Sequence, residues 1–274
     1  MRGENTFKMR VDVANIGHYL ACCGIFDLAD RWWPGGAEGW FEGQNFHVRC
    51  ADTRNEITCE HPLTTLLTSN VTAVADLPRI NQGAIEKAIA PLCIRPFRGD
   101  LQSVQLDAWF GCEIDGTTPQ WSNTPWKFWV GHQTSLSTWS NISSALQTQF
   151  SQISASKLEN IFWETCYISG RFGYDPGPAW KPLDVGFSPN DQSTMEVCSS
   201  PAVELLAAVG LQRFRPHYSR KGIIYATWPE PLPVTAAMLA MANRYSRVGV
   251  NVFRCQIIDR GKIKALSQSV LVEA

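Results

Sequence analysis

Alternating apolar and polar side chains predict how the chain begins. In residues 7–13 every second position is apolar and those between are polar, a pattern typical of a half-buried strand. Residues 19–33 carry apolar side chains along most of one helical face, and Pro34-Gly35-Gly36 stops a helix there. Apolar pairs at 40–41 and 46–48 predict two strands joined by a turn. This order is the opening half of a ferredoxin-like, RNA-recognition-type sheet.

The pattern in the rest of the chain predicts further short elements. Helices are expected at 62–75, 82–90, 134–150, 156–166 and 233–245, strands at 94–97, 104–110 and 222–228, a loop at 115–125, and a closing hairpin of 248–258 with 262–272. The predicted fold class is therefore α+β, a ferredoxin-like antiparallel sheet with helical insertions. We expect one compact domain, or two packed halves: a ferredoxin-like N-terminal half (1–125) and a C-terminal α+β half with a basic surface (126–274).

The stretch from Arg171 to Pro216 is the most distinctive part of the sequence. Its first half is dense in Gly, Pro, Asp and aromatic residues, which favours ordered turns that pack. Its second half predicts an amphipathic helix, with Pro201 in the first turn and Glu204 near the positive N-terminal end. Gly210 is expected to close this helix. The side chains of Arg213 and Arg215 would then project from the same side of an extended segment. The stretch therefore predicts an ordered loop, followed by a helix, followed by two arginines on one side of the chain.

Charge is distributed unevenly along the chain. The 274 residues carry a net charge of −1, and this value by itself does not indicate a polyanionic partner. Residues 213–264 nevertheless contain ten basic and two acidic side chains, a balance of +8 that leaves about −9 for the remainder. Arginines can neutralise phosphates and aromatic rings can stack on bases. Within nine positions the chain places four basic residues among rings: Arg213, Arg215, Arg220 and Lys221, flanked by Phe214, His217 and Tyr218.

Cysteine usage and the terminal segment indicate the compartment. Nine cysteines are scattered along the chain, and the N-terminal MRGENTFKMR is polar and charged, unlike a signal peptide. No apolar run approaches the ~20 residues of a membrane span. We therefore expect a reduced, cytoplasmic protein with no membrane partner, whose cysteines are small core residues.

One group of residues has the composition of a zinc site. His47, Cys50, Cys59 and His61 are spaced H-x2-C-x8-C-x-H, and zinc favours such ligands. The spacing matches no standard zinc module, and His47 and Cys50 fall on opposite faces of a regular strand. Ordinary core and surface roles are the competing interpretation.

Catalytic roles are weighed for a histidine and two cysteines. His18 lies at the expected start of the first helix, where some ribonucleases of this fold place a general base. Cys22 follows it by four residues and could share its helix face, as a reactive thiolate would require. The competing interpretation is that His18 caps the helix and that Cys22 and Cys23 pack in an apolar helix.

Three blocks of the sequence resemble one protein family. They are NIGHYLACCGIFDLADRWWPGGAEGWF, GRFGYDPGPAWKPLDVGFSPNDQ and PAVELLAAVGLQRFRP, in that order. The chain is similar in them to a small family of CRISPR-associated proteins of type I-U (I-G) interference modules. The family has Pro and Gln where this chain has Ile16 and His18, which puts any role for His18 in doubt.

The resemblance implies a non-catalytic, nucleic-acid-associated subunit of a crRNA-guided interference complex in antiviral defence. Its partners would be other effector-complex subunits and crRNA or target DNA, and no cofactor is expected. The residues expected to bind nucleic acid are Arg171, Arg213, Arg215, Arg220 and Lys221, supported by Arg244 and Arg247. Two alternatives stay open: a metal-independent crRNA-processing endoribonuclease using His18, and a purely structural bridge between proteins.

Overall fold

The protein is a mixed α+β structure of several small antiparallel sheets around buried helices. The computed structural model describes residues 6–51, 59–74, 89–115, 118–129, 133–152, 155–177, 198–242, 251–260 and 263–272. Most of the predicted helix at 82–90, and residues 243–250 at the end of another prediction, lie outside the described residues. None of the described helices is both long and apolar enough to cross a membrane.

The opening elements follow the predicted order. They are β1 (Thr6–Arg10), α1 (Ile16–Trp32), β2 (Ala37–Glu42) and β3 (Asn45–Cys50). Strands β2 and β3 form a hairpin that turns at Gly43, whose φ of 57° favours glycine. The sheet order is β1-β3-β2, and a fourth strand, β13 (Leu232–Pro233), pairs antiparallel with the outer side of β2. Strand β1 is thus one edge of this sheet.

The middle of the chain differs from the prediction at three places. It contains α2 (Pro62–Thr68), β4 (Asn70–Ala73), β5 (Leu92–Arg95), β6 (Val104–Leu106), β7 (Phe110–Asp115) and β8 (Thr118–Asn123). The helix predicted at 62–75 ends at Thr68, because the β-branched residues Val71 and Thr72 pair with β5 instead. The strand predicted at 104–110 ends at Leu106, and a turn from Asp107 to Phe110 follows it. The prediction of a loop at 115–125 was wrong, because β8 pairs with β7 and the two strands form a separate hairpin.

The C-terminal half supplies a second four-stranded sheet. Its elements are α3 (Ser135–Phe150), a 3₁₀ helix (Ala155–Trp163), β9 (Cys166–Tyr167), β10 (Cys198–Ser199), α4 (Pro201–Arg213), β11 (His217–Ser219), β12 (Gly222–Thr227), α5 (Val234–Met241), β14 (Asn251–Cys255), β15 (Ile257–Arg260), β16 (Ile263–Leu266) and β17 (Val270–Val272). The sheet order is β11-β12-β14-β17, and β15 and β16 form the predicted closing hairpin.

Helices α1 and α4 cross at the centre of the core. Gly24 of α1 faces the main chain of α4, and a Cβ there would overlap the carbonyl oxygen of Leu206. Gly210 of α4 makes the reciprocal approach, where a Cβ would overlap the carbonyl oxygen of Leu20. The prediction of an amphipathic helix closed by Gly210 was therefore wrong. Helix α4 is buried on all sides from residue 201 to 211, and its glycine lies inside the helix at the crossing.

Candidate nucleic-acid interface

One buried carboxylate, in the first turn of α4, binds the main chain of the loop at residues 171–177. Glu204 is fully buried and accepts main-chain hydrogen bonds from Gly173 (2.8 Å), Tyr174 (3.4 Å) and Asp175 (3.4 Å). Burial raises the pKa of Glu204 to about 7, and the positive charge of Arg171 opposes this rise. Arg171 is half-buried, and its positive charge acts on the buried Glu204.

The same loop is tied to the start of α1. Asn15 caps α1 by accepting from the N–H groups of Gly17 and His18. Its amide nitrogen donates to Asp175 Oδ1 at 2.9 Å, and all of these groups are buried. The described residues 171–177 therefore connect the N-termini of the two core helices, and they form a structural junction.

Arg213 is held by acidic side chains of α1. It is the last residue of α4, not part of an extended segment as the sequence suggested. Its Nη1 lies 2.7 Å from Asp30 Oδ2 and 3.1 Å from Asp27 Oδ1. Asp27 is fully buried, and burial raises its pKa, while Arg31 at 2.9 Å and Arg213 oppose the rise. The side chain of Arg213 is only 32% exposed, so its charge is used in joining the two helices.

Arg215 also has an acidic partner, in a more open setting. Its Nη2 lies 2.9 Å from Asp107 Oδ1, and the two side chains are 51% and 40% exposed. Its Nε donates to the carbonyl oxygen of Leu211. An exposed pair of this kind is worth little in stability, so a phosphate could compete with Asp107 for Arg215.

Arg220 and Lys221 occupy the tight turn between β11 and β12, and both are exposed. Among the described residues no acidic side chain lies within ion-pair distance of either one. Tyr218, 48% exposed, lies two residues before this turn. The remaining predicted residues, Arg244 and Arg247, lie outside the described residues.

A further arginine stands on the same sheet. In the antiparallel register, His217, Ile224, Arg254 and Val270 are directly opposite one another across four strands, so they share one face. His217 and Val270 are exposed, and Arg254 is half-buried with a side-chain carbon beside Gly222 at the turn. Arg254 has no acidic partner within the described part of the chain. We call Arg220, Lys221, His217 and Arg254 the C-terminal basic surface. The local sequence does not indicate Arg254, because it shares its face of β14 with the buried Val252.

His18 and the two adjacent cysteines lie in the interior. The His18 ring is buried, packs against Phe162 and Trp163, and accepts at Nδ1 from the main-chain N–H of Asp12 at 3.3 Å. Burial lowers the pKa of His18. The Cys22 and Cys23 thiols are fully buried, which raises their pKa values well above normal. This setting keeps all three away from a polyanionic substrate.

The Cys and His residues considered for zinc separate into two pairs. Cys50 faces the core and donates to the carbonyl oxygen of Pro34, while Cys59 lies close enough to Cys50 for a thiol hydrogen bond. His47 is on the opposite, outer face of β3, and it lines a cavity together with His61. Within the described residues no group of three or more potential ligands could hold a metal ion.

Two of the cavities on the described surface are lined by charged or titratable side chains. The larger, of about 450 Å³, lies beside β1 and is lined by Thr6, Phe7, Lys8, His47, His61, Leu158 and Glu159. The smaller, of about 250 Å³, lies beside the end of α1 and includes Arg31, Trp32, Cys59, Arg98 and Asp100. The sequence did not indicate the larger cavity, because its walls come from four separate segments.

The chain matches no protein-family model, no curated protein and no solved structure.

Proposed function

We propose that the protein is a nucleic-acid-associated subunit of a crRNA-guided CRISPR interference complex, without catalysis of its own. Its partners would be other effector subunits and crRNA or target DNA, in the cytoplasm, in antiviral defence. In this proposal β1, α1, β2 and β3 are one half of a ferredoxin-like unit. The resemblance of the three sequence blocks supports the setting, and the C-terminal basic surface supports the contact with nucleic acid.

The observation that carries the proposal is the contrast between two sets of basic residues. Arg213 and Arg215 are engaged by carboxylates, whereas Arg220 and Lys221 project from a turn without an acidic neighbour among the described residues. Cations without internal partners attract phosphates most readily, because no ion pair must be broken. Phosphate contact would therefore fall mainly on Arg220, Lys221 and Arg254, with Arg215 at the margin.

The test is binding of fluorescein-labelled single-stranded oligonucleotides, measured by anisotropy over a range of salt concentrations. Arg220→Glu with Lys221→Glu should weaken binding at least about tenfold and lower the salt slope by about 1.4, since each phosphate contact to a single strand contributes about 0.7. The matched control is Arg95→Glu with Arg98→Glu, two exposed arginines in the N-terminal half. Equal binding by wild type and the turn variant would refute the role of this surface.

The assembly itself is tested by copurification. The tagged chain, expressed with its neighbouring genes, should bring down other subunits and an RNA of guide length. Nuclease treatment separates association through nucleic acid from association through protein. Recovery of the chain alone, under conditions where the other subunits copurify with one another, would contradict membership of a complex.

A further inference from the structure

We propose that the cavity beside β1 receives one base of a single-stranded nucleic acid, and that the edge of β1 reads that base. This inference rests on the proposed function and adds a second contact surface, in the N-terminal half. The cavity volume of about 450 Å³ lies within the range of small-ligand sites and is ample for a nucleobase.

The walls supply the types of contact that a nucleotide needs. The ring centroids of Phe7 and His61 lie 4.4 Å apart at one side of the cavity, and Leu158 adds an apolar side chain from the 3₁₀ helix. Aromatic rings and apolar carbons favour a flat base over water. Lys8 and Glu159 stand at the opening as a 3.5 Å ion pair, with side chains 52% and 43% exposed. Such an exposed pair is worth at most about 1 kcal/mol, so it exchanges readily for a phosphate on Lys8 and a base amino group on Glu159.

The main chain of β1 adds a donor and an acceptor. In an antiparallel strand, the N–H and C=O of one residue point to the same side, and successive residues alternate. Val11 N–H donates inward to Gln44 O, whereas Arg10 O accepts from Trp163 Nε1 on the outer side. The N–H and C=O of Lys8 therefore point outward, to the edge that borders the cavity. No main-chain hydrogen bond in the described ranges engages Lys8 from that side.

His61 presents a neutral ring to the cavity. Its Nδ1 accepts from the N–H of Leu63 at 3.3 Å, and burial lowers its pKa to about 4. At neutral pH the ring therefore carries its proton on Nε2, which has no hydrogen-bond partner among the described residues. A buried N–H without an acceptor is costly, and a base carbonyl would satisfy it after a small movement of the ring.

The geometry favours a nucleotide over an added peptide strand. Strand addition needs several consecutive open positions along an edge. Here the 3₁₀ helix packs along β1, Trp163 already binds Arg10 O, and Lys8 and Thr6 border the opening. One donor and one acceptor at the mouth of a cavity match the hydrogen-bonding edge of a single base.

The experiment fills the cavity and measures oligonucleotide binding. Leu158→Trp would occupy the space, and Lys157→Trp is the matched control, because Lys157 is the exposed neighbour on the same 3₁₀ helix. Lys8→Glu reverses the charge at the opening, with Arg95→Glu as control. The probes are fluorescein-labelled 12-mers of adenylate and uridylate RNA and of deoxyadenylate. We expect Leu158→Trp and Lys8→Glu each to weaken binding at least about tenfold, with both controls near wild type.

The outcomes separate this inference from the proposed function. If Arg220→Glu with Lys221→Glu weakens binding but Leu158→Trp and Lys8→Glu do not, the cavity plays no part and this inference is overturned. If the wild-type chain binds none of the probes, both proposals fall. If thermal melting shows that Leu158→Trp is unfolded, the comparison of oligonucleotide binding by Lys8→Glu and Arg95→Glu decides. Equal binding by these two variants would overturn the inference. Equal weakening of RNA and DNA binding supports base recognition. Weakening of RNA binding alone overturns it, because the contact would then be to the ribose.

Discussion

The guanidinium of Arg213 lies 3.1 Å from the carboxylate of Asp27, which is fully buried in the core. This contact joins the C-terminal end of α4 to α1. Arg213, which the sequence predicts to bind phosphate, thus neutralises a carboxylate inside the protein. Loss of one partner from a buried ion pair costs more than the pair contributes, because the other charge is left in the interior.

Arg213→Ala should therefore destabilise the fold by about 1–3 kcal/mol, the cost of an unsatisfied buried charge when Arg31 remains as a second partner. Arg215→Ala is the matched control, since its pair with Asp107 is exposed and worth less than about 1 kcal/mol. Urea unfolding followed by tryptophan fluorescence measures both. Equal midpoints for the two variants would contradict the structural assignment of Arg213.

Stability should fall as the pH rises through the titration of Glu204. Its pKa in the fold is about 7, against an ordinary value of 4.5, so the folded state binds the extra proton between these values. The contribution is complete below about pH 4.5 and is lost by the time the pH exceeds about 7, a change of roughly 3 kcal/mol.

The check is urea unfolding of wild type and Glu204→Gln at several pH values from 5 to 8. The difference in free energy of unfolding between the two proteins should change across this range, because other titrating groups are common to both. A constant difference would show that Glu204 titrates normally in the fold.

Gly24→Ala and Gly210→Ala should each destabilise the protein by about 1–3 kcal/mol, since the added methyl group would force α1 and α4 apart. Gly99→Ala is the control, because no atom lies within 4 Å of the Cβ position there. Thermal melting distinguishes them. Wild-type melting of either helix variant would mean that the two helices do not pack this closely.

Alkylation should distinguish the cysteines by burial. Cys198 is exposed and should react with iodoacetamide in the native protein, whereas Cys22 and Cys23 should react only after unfolding, because their buried thiols stay protonated. Peptide mass spectrometry before and after denaturation measures this, and Cys198→Ser provides the control. Rapid native labelling of Cys22 would restore a reactive thiolate as an explanation for that pair.

Local patterns predicted the type and order of the first four elements. Strand β1, helix α1 and the β2–β3 hairpin were confirmed in type and order, although α1 begins at Ile16, three residues before the predicted start. Alternation marks β1, Gly43 marks the turn of the hairpin, and Pro34-Gly35-Gly36 marks the end of α1. The full burial of the two core helices was not predicted, because α1 from Ile16 to Ala29 and α4 from Pro201 to Leu211 are buried on all sides and no periodicity indicates this.

The candidate site was less predictable, because its residues acquire their roles from distant segments. Nothing local distinguishes Arg213, opposite Asp27, from Arg220, which projects from a turn. Glu204 looked like a helix-start residue, yet its partners are main-chain groups of a loop some thirty positions earlier. The cavity beside β1 draws its lining from β1, β3, the start of α2 and the 3₁₀ helix, and only the folded chain brings these together.

The crossing of α1 and α4 has a consequence for how the protein is made. Helix α4 begins at Pro201 of a 274-residue chain, so α1 leaves the ribosome long before the surface that covers it exists. Contacts of such long sequence separation form late, and meanwhile an apolar helix is open to aggregation. We therefore expect folding to be cooperative and largely post-translational. A fragment ending at residue 125 would expose α1, so interaction surfaces should be mapped by point substitution in the whole chain.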